Sequence, residues 1–183
     1  MNIAIVGATG NVGRKLIEVL EKKNFPLTEA YLVASPNSAG KKINFLGKEH
    51  IVINLEEFDF SKVKIAFFAA GSAIAEKWAP IAAEKTIVID NSKFFRKDPE
   101  IPLIVPEVNS KELPKFKNKN IIANANCSVI PIVVALKPLH DLYKVKRIVA
   151  STYQSVSGAG KAGMDELISQ TKEVLENKNV QSK

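Results

Sequence analysis

The chain has 183 residues, 46% of them hydrophobic and 25% charged, which fits an ordinary globular protein and excludes low-complexity and disordered classes. No apolar run is long enough to span a bilayer, the N-terminus has neither the basic region nor the cleavage site of a signal peptide, and one cysteine cannot make an intramolecular disulfide, so a cytoplasmic protein with no membrane partner is expected. The formal charge of +7 comes from scattered lysines with no groove-reading or stacking motif beside them, so they read as a solvated surface that also favours phosphorylated ligands, and no nucleic-acid partner is expected.

Asn2–Val6 reads as a short apolar strand. Residues 11–23 have helical spacing, with Val12, Leu16, Val19 and Leu20 on one face and Arg14, Glu18, Glu21 and Lys22 opposite. Glu29–Ala34 reads as a second strand, and residues 42–53 as a hairpin turning near Gly47. Residues 63–69 form an almost wholly apolar run, the pattern of a buried strand. A helix follows over 74–85, with Pro80 as a possible kink, and a further strand over 86–89. This alternation predicts an α/β fold, a doubly wound Rossmann-type parallel sheet with helices on both faces.

Beyond Asp90, prolines at 99, 102, 106 and 114 predict extended segments and turns. Residues 120–123 read as another strand. Residues 128–143 read as a helix, with Pro131 tolerated in its first turn and Pro138 bending or breaking it later. Residues 145–154 read as a longer strand, with Ile148, Ala150 and Thr152 on one face. Gly158–Gly163 reads as a flexible turn before an amphipathic helix over 164–178, built on Met164, Leu167, Ile168, Thr171 and Leu175. We place a nucleotide-binding domain at 1–131 and the start of a second, α+β domain at 132–183.

The run Gly7-Ala8-Thr9-Gly10-Asn11-Val12-Gly13 follows the first strand and opens the first helix. In a dinucleotide-binding unit Gly7 allows the tight turn, Gly10 lets the backbone approach a pyrophosphate, and Gly13 packs the helix against the sheet. The N–H groups from Thr9 to Val12 would hold the phosphates. NAD-binding units usually carry a carboxylate at the end of the second strand. Here that strand runs into Ser35-Pro36-Asn37-Ser38-Ala39-Gly40-Lys41-Lys42, with none. Ser35, Ser38 and Lys41 suit a 2′-phosphate, which favours NADP, with NAD still open. The alternative is a polar loop that touches nothing.

Cys127 lies in Ile121–Ser128, where a strand-like stretch gives way to a helical one. Thiolate is the nucleophilic form of cysteine, and a helix N-terminus favours an anion. Asn124 and Asn126 can cap or orient. A lone cysteine can equally be a buried structural one. The two histidines, His50 in a hairpin and His140 near a helix end, offer no obvious base. Arg96, after Phe94-Phe95, is either a clamp for phosphate or carboxylate or an exposed arginine without a partner. Gln154 stands before the glycine-rich turn, where it could point into a site.

Several segments together resemble aspartate-semialdehyde dehydrogenases. They are Val6–Gly13, Ser38–Lys41, Val88–Ser92, Val105–Asn109, Ala123–Ser128, Ala135–Asp141 and Ser151–Gly160. The resemblance implies a phosphorylating aldehyde dehydrogenase. Its reversible reaction oxidises L-aspartate 4-semialdehyde to 4-aspartyl phosphate with NADP, and runs in the cell as a reduction serving lysine, diaminopimelate, methionine and threonine synthesis. It implies Cys127 as acyl-thioester nucleophile, Arg96 and Asn126 at the phosphate or substrate, and Gln154 orienting the substrate. Thr9, Gly10, Asn11, Val12, Asn37, Ser38, Ser157 and Gly158 would contact NADP. A homodimer is implied, and no metal.

Two departures stand out. The family commonly has an arginine where Asn37 stands, so one charge-assisted contact to a 2′-phosphate is missing. Family members also run on past residue 183, and the further part carries a catalytic histidine, a substrate-binding arginine and most of the dimer-forming domain. The same thioester chemistry would suit a reductase of N-acetyl-γ-glutamyl phosphate, although Ser151–Gly160 favours the first family. A remnant that binds NADP without turnover is the other alternative. Loss of half the second sheet would expose apolar surface and favour an oligomeric or poorly soluble product.

Overall fold

The longer strands of the central sheet are short, mostly apolar runs. In the computed structural model, which describes residues 1–178 and 180, β1 (Asn2–Val6) and β2 (Glu29–Ala34) pair in parallel, Ile5 opposite Leu32. A small antiparallel hairpin, β3 (Lys42–Phe45) with β4 (Lys48–Ile51), stands apart and turns at Leu46-Gly47. Then come β5 (Ile53–Asn54), β6 (Ile65–Phe68), β7 (Ile87–Asp90), β8 (Leu103–Ile104) and β9 (Ile121–Asn124). These form a seven-stranded sheet in the order β5-β2-β1-β6-β7-β9-β8, and among the described residues every ladder in it is parallel. All strand C-termini therefore emerge along one edge, with β1 at the point where the chain order reverses direction.

The sheet is buried on both faces. Ile3 and Ile5 point to one side, with Ile17, Leu20, Leu32 and Phe45. Ala4 and Val6 point to the other, with Phe60, Phe68, Ala75 and Ala79. Each fully buried isoleucine or phenylalanine contributes about 1.5–3 kcal/mol by leaving water. Helix α1 (Asn11–Lys22) covers the first face and α2 (Ser72–Ala83) the second. Pro80 is accommodated inside α2.

The buried stripe of α1 is Gly13, Ile17 and Leu20, whereas Val12 and Val19 are exposed. The expected face was thus rotated. The glycine lets the helix axis approach the sheet so closely that position 13, not its larger neighbours, makes the contact.

The stretch after Asp90 is more ordered than its prolines suggested. Pro106 opens a short helix, α3 (Pro106–Asn109), where its fixed φ suits a first helical position, and Pro114 lies inside a 3₁₀ segment, Ser110–Asn118. Helix α4 (Val129–Tyr143) runs through Pro138 unbroken and ends at Lys144, which is left-handed at φ 57°.

The chain divides into two compact units, Met1–Arg147 and a second beginning at Ile148. The strand expected over 145–154 does not form; the segment has no regular secondary structure. Its alternating pattern is that of a strand, but among the described residues no neighbour supplies the ladder partner that a strand requires. In the second unit a 3₁₀ turn, Val156–Ala159, leads directly into α5 (Gly160–Leu175). Gly160 and Gly163 therefore belong to the helix, not to a flexible turn. The residues expected to form its apolar face include Leu167, Ile168 and Leu175, all exposed.

Candidate active site

At the C-terminal edge of the sheet, the turn after β1 is shaped by close backbone contacts. Gly7 has φ 87°, and a Cβ there would lie 2.7 Å from the carbonyl oxygen of Ala69. A Cβ on Gly13 would lie 2.2 Å from the carbonyl oxygen of Gly7, so the helix can approach its strand only as glycine. The Gly7 and Ala8 amides donate to the Val33 carbonyl at 2.8 and 3.2 Å, tying this turn to β2. Gly10 is the N-cap of α1, and no side chain caps that end. Asn11 and Val12 form its exposed first turn.

Above this turn is a cleft of about 310 Å3 lined by residues that include Gly7, Thr9, Gly10, Ser35, Ala69 and Ile74. Ser38 reaches the same region, because the Thr9 hydroxyl donates to its Oγ at 3.4 Å. Asn37 is exposed in the 3₁₀ turn Pro36–Ser38. The cleft, the glycine turn that a Cβ would obstruct, and the uncapped helix end fit the adenosine and pyrophosphate of a dinucleotide.

The ends of β7 and β9 form a second group on the same edge. Asp90, the last residue of β7, is wholly buried and accepts from the backbone N–H and hydroxyl of Ser92 at 3.0 and 2.6 Å. Burial pushes its carboxyl above the ordinary range, against the pull of the Ser92 hydrogen bonds and the Arg96 charge. Arg96 is half-buried in the 3₁₀ turn Phe94–Lys97. It donates from Nε to the Asn124 carbonyl at 2.9 Å and from Nη2 to the Asn91 carbonyl at 3.0 Å. It is therefore not the partnerless arginine of the alternative reading.

Cys127 is exposed, which removes the alternative of a buried structural thiol. Its Sγ lies 4.0 Å from the Ser128 hydroxyl. Asn126 forms the turn that leads into α4. The Asn126 carbonyl accepts from the amides of Val129 and Ile130, both at 3.0 Å, and its Oδ1 accepts from the Ser128 amide at 2.9 Å. Asn126 thus closes the turn that leads into α4, whose N-cap is Ser128, and Cys127 sits in that turn, at the positive end of the α4 dipole. His140 is in the last turn of α4, about 20 Å further along its axis. His50 faces Phe45 in the hairpin, with ring centroids 5.8 Å apart. Neither is placed to serve as a base for Cys127.

Gln154, Ser157 and Gly158 lie in the second unit. Gln154 is in exposed coil and so does not end a strand. Ser157 and Gly158 are in the 3₁₀ turn capped by Ser155, whose Oγ accepts from the Ser157 amide at 3.3 Å. Among the described residues no cluster of three or more His, Cys, Asp or Glu could hold a metal ion, and no helix is long and apolar enough to cross a membrane.

By sequence both Asn124 and Asn126 can cap or orient, and the resemblance implies a substrate role for Asn126 alone. In the structure Asn126 Oδ1 accepts from the Ser128 amide, while Asn124 donates from Nδ2 to Asn91 Oδ1 at 2.5 Å. No local signal pairs residues 33 apart in the chain.

A family model for the NAD-binding domain of semialdehyde dehydrogenases matches residues 2–116, and one for their dimerisation domain matches residues 136–183. The chain belongs to the semialdehyde dehydrogenase family. Within this family, it is 55% identical over 175 residues to aspartate-semialdehyde dehydrogenase 2 of Vibrio cholerae, a match that covers 95% of this chain and 52% of the relative. It also superposes on aspartate semialdehyde dehydrogenase II of Vibrio cholerae, crystallised in complex with ASA. That match has a TM-score of 0.94 and 52% identity, over 100% of this chain and 55% of the other. The Candida albicans semialdehyde dehydrogenase crystallised with NADP is more distant, at 26% identity and TM-score 0.60 over 79% of this chain and 48% of that one. The chain thus spans about half the length of the curated relatives it matches.

Proposed function

We propose that this chain carries the nucleotide cradle and the thiol of an aspartate-semialdehyde dehydrogenase. It would catalyse the reversible, phosphate-dependent interconversion of L-aspartate 4-semialdehyde and L-4-aspartyl phosphate. The observation that carries the reading is that an exposed Cys127, in the turn that leads into α4, shares one sheet edge with the glycine cradle and with Arg96. The whole-chain likeness to named aspartate-semialdehyde dehydrogenases supplies the substrate.

Gly7, Thr9, Gly10, Asn11, Val12, Ser35, Asn37 and Ser38 would hold the dinucleotide. We take it to be NADP, because the loop after β2 carries hydroxyls and Lys41 and no carboxylate. When bound, the dinucleotide supplies or accepts the hydride. In the oxidative direction Cys127, as thiolate, adds to the aldehyde carbon to give a hemithioacetal. Loss of hydride from that carbon leaves an acyl thioester on Sγ. Phosphate then adds to the thioester carbonyl, the C–S bond breaks, and the thiolate is regenerated with aspartyl phosphate. Arg96 would hold the phosphate, and Asn126 the substrate.

We also assign residues 1–131 to nucleotide binding and 132–183 to the opening of a catalytic and dimerisation domain. The assembly would be a cytoplasmic homodimer serving lysine, diaminopimelate, methionine and threonine synthesis. The test is to mix the protein with aspartate semialdehyde and NADP without phosphate. One equivalent of reduced nucleotide and an aspartyl adduct on Cys127 by mass spectrometry are expected, and added phosphate should discharge the adduct. Absence of an adduct on intact Cys127 would reject the reading.

A further inference from the structure

Arg96, Asn91 and Asn124 close a ring of hydrogen bonds across the ends of β7 and β9. Arg96 Nε donates to the Asn124 carbonyl at 2.9 Å, Arg96 Nη2 to the Asn91 carbonyl at 3.0 Å, and Asn124 Nδ2 to Asn91 Oδ1 at 2.5 Å. All three residues are partly buried. The last ladder pair of these strands is Asp90 with Ala123, so the amide clasp lies one residue beyond the paired ladder. There it does what the ladder no longer does, and fixes the separation of the two strand ends. Those ends carry the carbonyls that grip the guanidinium. The Asn91 amide is itself anchored to the Phe68 carbonyl at 3.0 Å, which ties the ring to β6.

We propose that Asn91 and Asn124 are positioning residues that set the orientation of Arg96 toward phosphate and tie it to the segment bearing Cys127, an inference that rests on the reading of Arg96 as the phosphate ligand. Nε and Nη2 lie along one edge of a guanidinium. With that edge held by carbonyls, the plane cannot rotate, and the end formed by Nη1 and the second Nη2 hydrogen remains for an oxyanion. Asn124 precedes Cys127 by three residues, so the same clasp that orients the cation also holds the root of the nucleophile's turn. Phosphate and thioester carbon must meet within bonding reach, and a rigid frame between their two holders supplies that orientation.

Asn124→Ala and Asn91→Ala are compared with Arg96→Ala, using two readouts on the intact chain. The first is inorganic phosphate affinity by 31P NMR. Arg96→Ala and each asparagine variant should weaken it by about tenfold or more, and Asn124→Ala should add nothing in the Arg96→Ala background. The second is hydrogen exchange of the Arg96 Nε–H by 15N NMR, which should be slow in the parent and become fast in both asparagine variants. Folding is checked by NADP affinity, which should stay within about twofold; Asn124→Ser replaces Asn124→Ala if the latter fails to fold. If Arg96→Ala leaves phosphate affinity unchanged, the reading of Arg96 fails. If Arg96→Ala weakens phosphate while both asparagine variants keep parental affinity and slow Nε–H exchange, the positioning role fails.

Discussion

The hydroxyl of Thr9 lies within hydrogen-bonding distance of that of Ser38, 3.4 Å away, which brings the turn after β1 against the loop after β2. In a dinucleotide site the first of these holds the pyrophosphate and the second meets the adenosine ribose. Asn37, beside Ser38, is exposed and carries no charge. Asn37→Arg should therefore tighten NADP by about tenfold or more through a charge-assisted hydrogen bond, and leave NAD within about twofold. Fluorescence titration with both nucleotides measures this; equal gains for both would place position 37 away from the 2′-phosphate.

Gly13→Ala reverses the usual sign of a helix substitution. In an ordinary helix interior the change stabilises by up to about 1 kcal/mol. Here the new Cβ would meet the Gly7 carbonyl oxygen at 2.2 Å. A loss of about 1–3 kcal/mol and weaker nucleotide binding are expected. Urea unfolding checks it against Gly158→Ala, where a Cβ meets nothing within 4 Å and the change should stay within about 0.5 kcal/mol.

Asp90 predicts a pH-dependent difference. Burial, the largest cause, raises the folded carboxyl above its unfolded value. Folding then favours the protonated form, so this group's contribution is fully present below the ordinary carboxylate range and is lost as pH rises through the folded value. Asp90→Asn, which keeps an acceptor for the Ser92 amide, should gain stability relative to the parent on going from acid to neutral pH. Unfolding midpoints across that interval test the sign; a constant difference would show that Arg96 and Ser92 fully offset the burial.

Cys127→Ser should abolish the aspartyl adduct while leaving NADP affinity within about twofold, because the thiol lies outside the glycine cradle. Mass spectrometry and nucleotide titration on one preparation separate the two effects.

Exposed apolar side chains predict self-association. Val149 is 79% exposed, and Leu142, Tyr143, Tyr153 and Leu175 are also largely exposed. Sedimentation should show concentration-dependent oligomers, which addition of mild detergent disperses. A monodisperse monomer at high concentration would refute this.

The parallel sheet was legible because buried strands of this kind are nearly continuous apolar runs, as in Ile65–Phe68. The glycine turn was legible because its spacing reports a backbone constraint. What failed to show was whatever depends on partners remote in sequence. Residues 145–154 carry a strand's alternation, yet no strand forms. Val12 and Val19 look like core residues, yet the close approach at Gly13 turns them outward. The Arg96 ring joins residues from separate crossovers, and no local pattern announces a guanidinium held by two carbonyls.

Both outer strands of the central sheet, β5 and β8, are only two residues long. Such stubs offer little unpaired backbone to an incoming chain, so the sheet resists growth by edge-to-edge ladder extension. Copies of this fold that meet in solution would do so through side-chain surfaces, and the route toward fibrillar stacking through those edges is largely closed.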